Sequence, residues 1–524
     1  MLTFIDRTSM RRVWDLESRQ DESQNSLTLD PRVIMKVDDE RSGVPAGTYA
    51  TSLISSNNFI NFCATVNLPL TNGTQVEGGS CNAAPIGVLA STDHIPFLKF
   101  QFPLNRATLM RNVPFTIQFT VHNLIIGTAI NAEVNYLAAP QQTDLDGSIL
   151  GHSAVVIEKL ESLDDTTPTD PQVFKFFLGT HVQDSNGLNA MNVTTGLAEG
   201  FYRISSITTN ANLQPITVPL LQHGAIDDAV YFTVVADAFS SRTVKRETDV
   251  KPVFSRQNAN TNTSNFGDDV QNSTTLLSSQ VATGFATDGL QGQPNSGQPA
   301  SLTSSNNFIN YCLTVNKALA NGQQSNDDSC NPIPMGAIPS KIRMPSFKFV
   351  FPKNFGVLPP NEAFTIKLNF TNMDIEMTDP EVRYLSAPQQ LTSNGLIKGY
   401  ARVVIEALTS FNQTSVTDPL KVAFAASMNH RDGDRVLTAE APKGLPAGFY
   451  RLSSRALTAN HAPIGLPVSQ RGATNDVVYF QVGDGGSGST TANSISATPP
   501  ASTTPMMSVR ALPHGKRNTG NLCK

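Results

Sequence analysis

Charged residues are scarce in this chain of 524 residues. Only 15% of the residues are charged, and 38 basic against 43 acidic side chains leave a formal net charge of −5 at pH 7. That balance excludes a strongly basic nucleic-acid-binding protein. The sequence also lacks an apolar run of about 18 residues, the length that predicts a membrane-spanning helix. We therefore expect neither nucleic acid nor a membrane span among its partners.

The sequence also lacks a long apolar pattern with the 3.6-residue period of a helix, and it contains a single tryptophan. The single Trp14 lies outside the regions that look folded, so a tryptophan platform for stacking sugars is not expected. Apolar side chains instead alternate with polar ones, as in residues 115–122 and 364–371. A period of two predicts strands with one face in a core. Short β-branched or aromatic runs between Pro, Gly, Asn and Asp clusters complete the pattern of an all-β protein with β-sandwich-like modules.

One unusual segment occurs twice. Residues 55–63 (SSNNFINFC) return as residues 304–312 (SSNNFINYC), an offset of 249 residues that becomes 248 from Pro140 onward. Solenoid repeats run at roughly 20–50 residues, so a period this long predicts a duplicated domain. The predicted divisions are a disordered N-terminal segment (1–29), β module 1 (30–238), an Asn/Ser/Thr-rich linker (239–277), β module 2 (278–484) and a Ser/Thr/Pro/Gly-rich tail (485–524).

Four of the five cysteines form two matching pairs. Cys63 and Cys81 are 18 residues apart, as are Cys312 and Cys330. Neither a CxxC motif nor a histidine cluster accompanies them, which argues against zinc. The spacing predicts one disulfide per module, worth roughly 3 kcal/mol on chain-entropy grounds, in an oxidising compartment. Four reduced, buried thiols are the alternative, and Cys523 is left over.

The N-terminal region and the cysteines predict different locations. Residues 1–24 carry charges throughout and lack the apolar core of a signal peptide. The cysteine pairs and six N-glycosylation motifs favour export. We give the cysteines more weight and expect a glycoprotein of the extracellular space or the cell wall. The motifs lie at Asn72, Asn192, Asn262, Asn272, Asn369 and Asn412.

The two copies provide an internal test for catalysis, because a site used by both modules should be present in both. No histidine meets that requirement. The residues at the matching positions are Arg343 for His94, Thr371 for His122, Tyr400 for His152 and Arg471 for His223. A histidine metal site or a Ser-His triad in both modules is therefore not expected. We predict no metal, no cofactor and no catalytic residue, with one active and one decayed module as the alternative.

Charged residues, by contrast, match between the copies. The matching pairs are Lys99/Lys348, Glu158/Glu406, Asp170/Asp418, Arg203/Arg451 and Asp228/Asp476. Glu158 ends an apolar run and Arg203 lies within one, so the pattern allows a buried Glu–Arg pair in each module that serves fold specificity. Paired carboxylates also hydrolyse glycosides, and a carboxylate-dependent glycoside hydrolase is therefore an alternative function.

The asparagines of the repeated segment are the candidate ligand-binding residues. They are Asn57, Asn58 and Asn61 in module 1, and Asn306, Asn307 and Asn310 in module 2. An amide side chain offers a sugar both a donor and an acceptor, and Phe59 and Phe62 lie beside the first trio. Asparagine also forms turns and caps, so a structural role is the competing interpretation.

Four phrases of module 2 carry a resemblance to known proteins. They are residues 304–312 (SSNNFINYC), 329–336 (SCNPIPMG), 387–390 (APQQ) and 447–451 (AGFYR). In these phrases the chain resembles a family of uncharacterised secreted tandem-repeat proteins of basidiomycete fungi. The resemblance covers both modules, about three-quarters of the chain. It implies secretion and supplies no activity or catalytic residue.

Together these features predict a secreted or cell-wall-associated binding or structural protein, not an enzyme, with polysaccharide as the expected ligand. A flexible linker of about 39 residues spans roughly 5–6 Å × √39, near 35 Å, so two tethered modules would gain avidity for a repetitive ligand. Cleavage after Lys245-Arg246 would release two separate modules. A protein-binding role without a glycan ligand is a further alternative. The oligomeric state is not predicted.

Overall fold

The computed structural model describes seven stretches of the chain. They are residues 25–37, 52–127, 130–180, 187–236, 272–290, 299–333 and 336–483. Trp14, Asn262, Lys245-Arg246, Cys523 and the tail lie outside them. Within these stretches, no helix has the length and apolarity needed to cross a membrane.

Module 1 is made of strands and short 3-10 helices in its described residues. Its strands are β1 (Ser80–Asn82), β2 (Gly87–Leu89), β3 (Phe97–Phe102), β4 (Ala107–Met110), β5 (Phe115–His122), β6 (Leu124–Ile126), β7 (Ile149–Leu160), β8 (Phe176–Gly179), β9 (Leu188–Val193), β10 (Gly200–Asn210) and β11 (Ala229–Val235). Its 3-10 helices are Pro31–Val33, Phe62–Thr65 and Thr92–His94.

Module 2 repeats this arrangement. Its strands are β12 (Ala318–Leu319), β13 (Ser329–Asn331), β14 (Gly336–Ile338), β15 (Ser346–Phe351), β16 (Gly356–Leu358), β17 (Phe364–Thr371), β18 (Met373–Ile375), β19 (Ile397–Leu408), β20 (Phe424–Met428), β21 (His430–Arg431), β22 (Val436–Ala441), β23 (Gly448–Thr458) and β24 (Val477–Val482). Its 3-10 helices are Ser278–Gln280, Thr283–Ala286, Tyr311–Leu313 and Lys341–Arg343.

Each module is a sandwich of a small sheet and a large sheet. In module 1 the small sheet has the order β3-β5-β9, and the large sheet has the order β4-β11-β10-β7-β6 with β8 also paired to β7. Module 2 has the corresponding sheets β15-β17-β22-β21 and β16-β24-β23-β19-β18, with β20 paired to β19. In β5 and β17 buried residues alternate with more exposed ones, as the period of two predicts. The prediction of an all-β protein with two similar domains is confirmed.

The large sheets are buried on both faces. Val155 and Ile157 of β7 lie in the core of module 1, whereas Ala154 and Val156 belong to a cluster that includes Ala473 of module 2. This two-sided burial explains why these four residues form a continuous apolar run instead of an alternating one. The outer faces of the two large sheets therefore form the interface between the modules.

Both copies of the repeated segment end in a disulfide. Cys63 is bonded to Cys81, and Cys312 is bonded to Cys330. All four half-cystines lie in one hydrophobic cluster that draws residues from both modules. The prediction of one disulfide per module is confirmed, and the alternative of four reduced thiols is wrong.

The segment that precedes each module crosses to the other module. We call residues 25–29 arm 1 and residues 272–277 arm 2. The arms pair antiparallel through a bridge between Thr28 and Thr275, with a backbone hydrogen bond of 2.8 Å on either side. Each arm buries one leucine in the cluster that holds the disulfides, Leu29 and Leu276, both 1% exposed. The described folded part therefore reaches into the ranges predicted as disordered segment and linker.

Candidate functional site

The asparagines predicted to bind a ligand hold the arms in place. Asn61 of module 1 donates to the carbonyl of Thr275 in arm 2, and Asn310 of module 2 donates to the carbonyl of Thr28 in arm 1, both at 3.0 Å. Asn61 also accepts from the backbone N–H of Leu277 at 2.9 Å, and Asn310 accepts from the backbone N–H of Asp30 at 2.8 Å. Each amide thus binds a crossing arm as a neighbouring strand would.

The other asparagines of the repeat make similar bonds. Asn58 accepts from the N–H of Met35, and Asn307 accepts from the N–H of Ala282, both at 2.8 Å. All six side chains are at most 2% exposed. Their contacts favour the structural interpretation, and ligand binding by these residues stays a prediction. The remaining bonds of this kind run from Asn57 to the carbonyl of Ser273 and from Asn306 to the carbonyl of Ser26.

Four of the five charged pairs shared by the copies meet at the interface between the modules. We call this group the interface ion network: Lys99, Glu158, Arg203 and Asp228 of module 1, and Lys348, Glu406, Arg451 and Asp476 of module 2, each at most 1% exposed. Four cations balance four carboxylates. A Glu–Arg pair is present in each module, at 2.7 Å for Glu158–Arg203 and 2.6 Å for Glu406–Arg451. The register of the large sheets sets these pairs directly opposite each other on neighbouring strands.

The same network joins the two modules. Arg451 donates to Asp228 at 2.9 Å, and Arg203 makes the reciprocal bond to Asp476. The hydroxyl of Tyr479 also crosses the interface and donates to Asp228 at 2.8 Å. Because each contact has a counterpart with the modules exchanged, a pseudo-two-fold axis relates them.

Pairing determines the charge state of the network aspartates. Burial favours the neutral form of Asp228, but the charges of Lys99 and Arg451 outweigh it, and its pKa lies below the ordinary value. The same balance lowers the pKa of Asp476. Both carboxylates are therefore held ionised, and each depends on its cations.

Of the matched carboxylates, the two glutamates are buried, and Asp170 and Asp418 are not. Glu158 and Glu406 are each 1% exposed and are bound by the arginines of the network. Asp170 and Asp418, the fifth matched pair, sit in surface turns, where each accepts the N–H two residues on. That turn geometry is local and does not bring them to the network.

Beside the network, the two large sheets leave a cavity of about 120 Å³, which we call the inter-module cleft. Module 1 lines it with β10 and the loop before β11, and module 2 lines it with β19, β23 and the loop before β24. Its charged or titratable residues, besides Asp228 of the network, are His223, Asp227, Arg402, Arg455 and Arg471. The arginines and Asp227 are only half-buried, so the cleft reaches solvent.

Burial shifts the titration of two cleft residues in opposite directions. His223 donates from Nδ1 to the carbonyl of the next residue at 2.6 Å and accepts at Nε2 from Arg455. Burial, and then the charge of Arg455, lower its pKa well below the ordinary value, so His223 is neutral. Burial raises the pKa of Asp227 to about 6, although Thr208 and Ser206 donate to its carboxylate.

The sequence does not predict these cleft residues as a site, because a site used by both modules requires the same residues in both copies. The positions related by the offset of 248 hold different residues: Ala154 for Arg402, Ile207 for Arg455, His223 for Arg471 and Asp227 for Asn475. The available signal was the mismatch itself. Two of the four differences lie on strands and two in the loops before β11 and β24, and Arg402, Arg455, Arg471 and Asp227 all line one cleft.

The predicted glycosylation sites differ in accessibility. Asn192, Asn272 and Asn412 are exposed. Asn72 and Asn369 are half-buried, and both side chains are engaged, the first accepting from Gly284 at 2.6 Å and the second donating to Thr166 at 3.0 Å. Glycosylation itself stays a prediction, with the exposed positions the better acceptors.

The chain belongs to the CLU5d N-terminal domain family. The family matches residues 98–235 and again residues 347–483, which together make up just over half of the chain. The matches begin and end with the sandwich strands, from β3 to β11 and from β15 to β24. The family domain is therefore the sandwich, without the arms and the disulfide-bearing segments.

A curated relative is the pathogenicity cluster 5 protein d of Colletotrichum graminicola. It is 36% identical over 210 residues, which cover 40% of this chain and 43% of that protein. The aligned part thus spans less than half of the relative's length. The prediction of a fungal family with a repeated domain is confirmed, whereas nothing assigns the family to basidiomycetes.

Two similar solved structures are distant from this chain in sequence. The fibronectin(III)-like modules of Clostridium thermocellum CbhA are 9% identical, with a TM-score of 0.14, over 74% of this chain and 94% of that one. Salmonella alpha-2-macroglobulin is 6% identical, with a TM-score of 0.16, over 74% of this chain and 17% of that one. At such scores these likenesses carry no argument about fold or function.

Proposed function

We propose that this protein is a non-enzymatic binding protein of the fungal exterior, secreted or held in the cell wall, with the inter-module cleft as its ligand site. The cleft carries the proposal, because it brings charged side chains of both modules together and reaches solvent. Clefts between domains are preferred places for ligand sites. The two disulfides support export, since such bonds persist in oxidising compartments.

A role outside the cell also fits the relative. The Colletotrichum graminicola protein is named for a pathogenicity cluster, and we extend that association to this chain. Exposed glycosylation motifs at Asn192 and Asn412 agree with passage through a secretory route. Cell-wall polysaccharide is the proposed ligand.

Two fixed modules bind differently from two tethered ones. The arms and the interface ion network join the modules into one compact unit, so they meet a ligand as a single body. Avidity from modules that move independently on a linker is therefore replaced by one site that both modules form. One ligand per chain is the expected stoichiometry.

Filling the cleft is expected to abolish binding to wall polysaccharide. Ala225 is half-buried and lines the cleft, so Ala225→Trp introduces an indole there. In co-sedimentation with insoluble glucan and chitin, the wild type should be retained on at least one of them, and Ala225→Trp should stay in solution. Ala423→Trp, at an exposed position outside the cleft, should behave as wild type.

Two results would refute the proposed function. One is equal retention of the wild type and of a folded Ala225→Trp variant, since binding would then lie elsewhere. The other is no retention of the wild type on either polysaccharide. If pull-downs then return a specific protein, the protein-binding alternative takes its place.

A further inference from the structure

The arginines of the inter-module cleft are not used in ion pairs. Arg402, Arg455 and Arg471 form no salt bridge with any carboxylate of the described residues. Their acceptors are neutral. Arg402 donates to the hydroxyl of Ser427 at 3.1 Å, and Arg471 donates to the carbonyl of Gly472 at 3.3 Å. Arg455 donates to the carbonyl of Ile216 at 3.1 Å and to Nε2 of His223. A guanidinium has five N–H donors, so most of the donors of these arginines stay available.

Further polar atoms of the cleft have no hydrogen-bond partner among the described residues. The hydroxyls of Ser205, Ser453 and Thr474 and the Nε of Arg471 are buried and make no hydrogen bond within the described chain. All four residues line the cleft. Buried polar groups are almost always hydrogen-bonded, so a concentration of unpaired ones in one cavity indicates a polar ligand.

The net charge of the cleft indicates the charge of the ligand that it would bind. Of its two carboxylates, Asp228 is paired with cations of the interface ion network, which leaves only Asp227. His223 is neutral, as its hydrogen bonds require. Three guanidinium groups against one unpaired carboxylate give a net positive site, and arginine is the residue best suited to planar or tetrahedral oxyanions.

The positive charge is confined to one copy. Ser205 matches Ser453 across the pseudo-two-fold axis. The counterparts of the three arginines carry no charge, because they are Ala154, Ile207 and the neutral His223. The interface ion network, in contrast, keeps the same residues in both copies. The contacts that pack the modules together are therefore symmetric, whereas the charged residues of the cleft are not. Module packing alone does not account for the cleft arginines.

We propose that the inter-module cleft binds a compact oxyanion, the carboxylate, phosphate or sulfate group of a ligand, through Arg402, Arg455 and Arg471. This inference rests on the proposed function, because it names the ligand class of the same site. The volume of about 120 Å³ suits such a group with part of an attached ring. It is close to the ~150 Å³ of an engineered cavity that holds benzene.

Titration calorimetry with three anions tests the inference: inorganic phosphate, sulfate and galacturonate, with galactose as the neutral counterpart of the last. At least one anion should bind saturably, and galactose should not. Arg402→Ala and Arg471→His replace each arginine by the residue of the other copy, and either should weaken binding about tenfold or more. Arg111→Gln, at an exposed arginine outside the cleft, should bind as wild type.

The results separate the source of the anion from the existence of the site. Binding of galacturonate alone identifies an acidic sugar, and binding of phosphate or sulfate alone identifies an inorganic or ester group. The inference is overturned if no anion binds to the folded wild type, or if affinity is unchanged in both folded arginine variants. Should anions fail while Ala225→Trp still loses polysaccharide binding, the proposed function stands with a neutral ligand.

The affinity for sulfate should rise as the pH falls from about 7.5 to about 5. The pKa of Asp227 is raised to about 6, so this carboxylate loses its negative charge within that range, and sulfate does not change its own charge. The charges that act on Asp227 are those of Arg471 and Arg455, which stay positive over this range. Arg402 and His223 line the same cleft, and the lowered pKa of His223 keeps it neutral. Asp227→Asn, which copies Asn475 of module 2, should bind several-fold tighter at the higher pH and lose the pH dependence. An unchanged slope in that variant would exclude Asp227 as its cause.

Discussion

Replacing Arg203 with methionine is expected to lower the free energy of unfolding by about 3–5 kcal/mol. The change leaves the buried Glu158 without an ion-pair partner among the described residues, and it leaves Asp476 with Lys348 alone. A buried carboxylate that has lost its partner costs far more than the packing of a methionine side chain returns. Urea denaturation followed by circular dichroism measures the difference.

Two comparisons show whether the loss comes from the network. Arg111→Met removes an exposed arginine and should change stability by less than about 0.5 kcal/mol. Adding Glu158→Gln to Arg203→Met removes the carboxylate that has lost its ion-pair partner, so the double variant should regain part of the loss. A cost below about 1 kcal/mol for Arg203→Met would mean that the network is not a major support of the interface.

Cutting the chain between residues 237 and 271 should not separate the modules. Arm 1 is bound by Asn310 of module 2 and arm 2 by Asn61 of module 1, and the interface ion network adds reciprocal ion pairs. A protease cut after Arg246 should therefore give two bands in a denaturing gel but a single peak of uncut size in gel filtration. This expectation replaces the one from the sequence, in which the cut releases two independent modules.

A variant without the arm contacts provides the control for this experiment. Asn61→Ala and Asn310→Ala together remove the side chains that bind the arms, and the cut form of this variant should come apart at a lower urea concentration than the cut wild type. Separate elution of the two wild-type fragments in native buffer would contradict the arrangement of arms and interface described above.

The sequence predicts the sandwich architecture and the disulfides because both depend on local or repeated patterns. Alternation in residues 115–122 and 364–371 determines which face of each strand is buried, and the repeated spacing of the cysteines indicates the pairs. Matching of Glu158 with Glu406 and of Arg203 with Arg451 suggested a buried pair in each copy, and the structure contains both. Duplication thus serves as evidence where alignment with other chains would usually be needed.

The contacts between the modules could not be predicted in this way. Asn310 accepts from the N–H of Asp30, 280 residues earlier, and no local pattern carries information about such a partner. A flexible linker was the natural inference from the polar composition between the modules, yet part of that region is an arm with a buried leucine, Leu276. The cleft arginines were missed for a related reason, because agreement between copies identifies structural residues and overlooks those that one copy alone has acquired.

The crossing arms have a further consequence for how this protein can evolve. A dimer of two identical modules must present the same residues on both sides of its symmetry axis, so any substitution in its central cleft is made twice. Here the two halves are encoded in one chain, and each arm is bound by the other half. Arg471 can therefore stand at the position where the opposite half has His223. Fusion frees the cleft from symmetry while the arms keep the halves assembled.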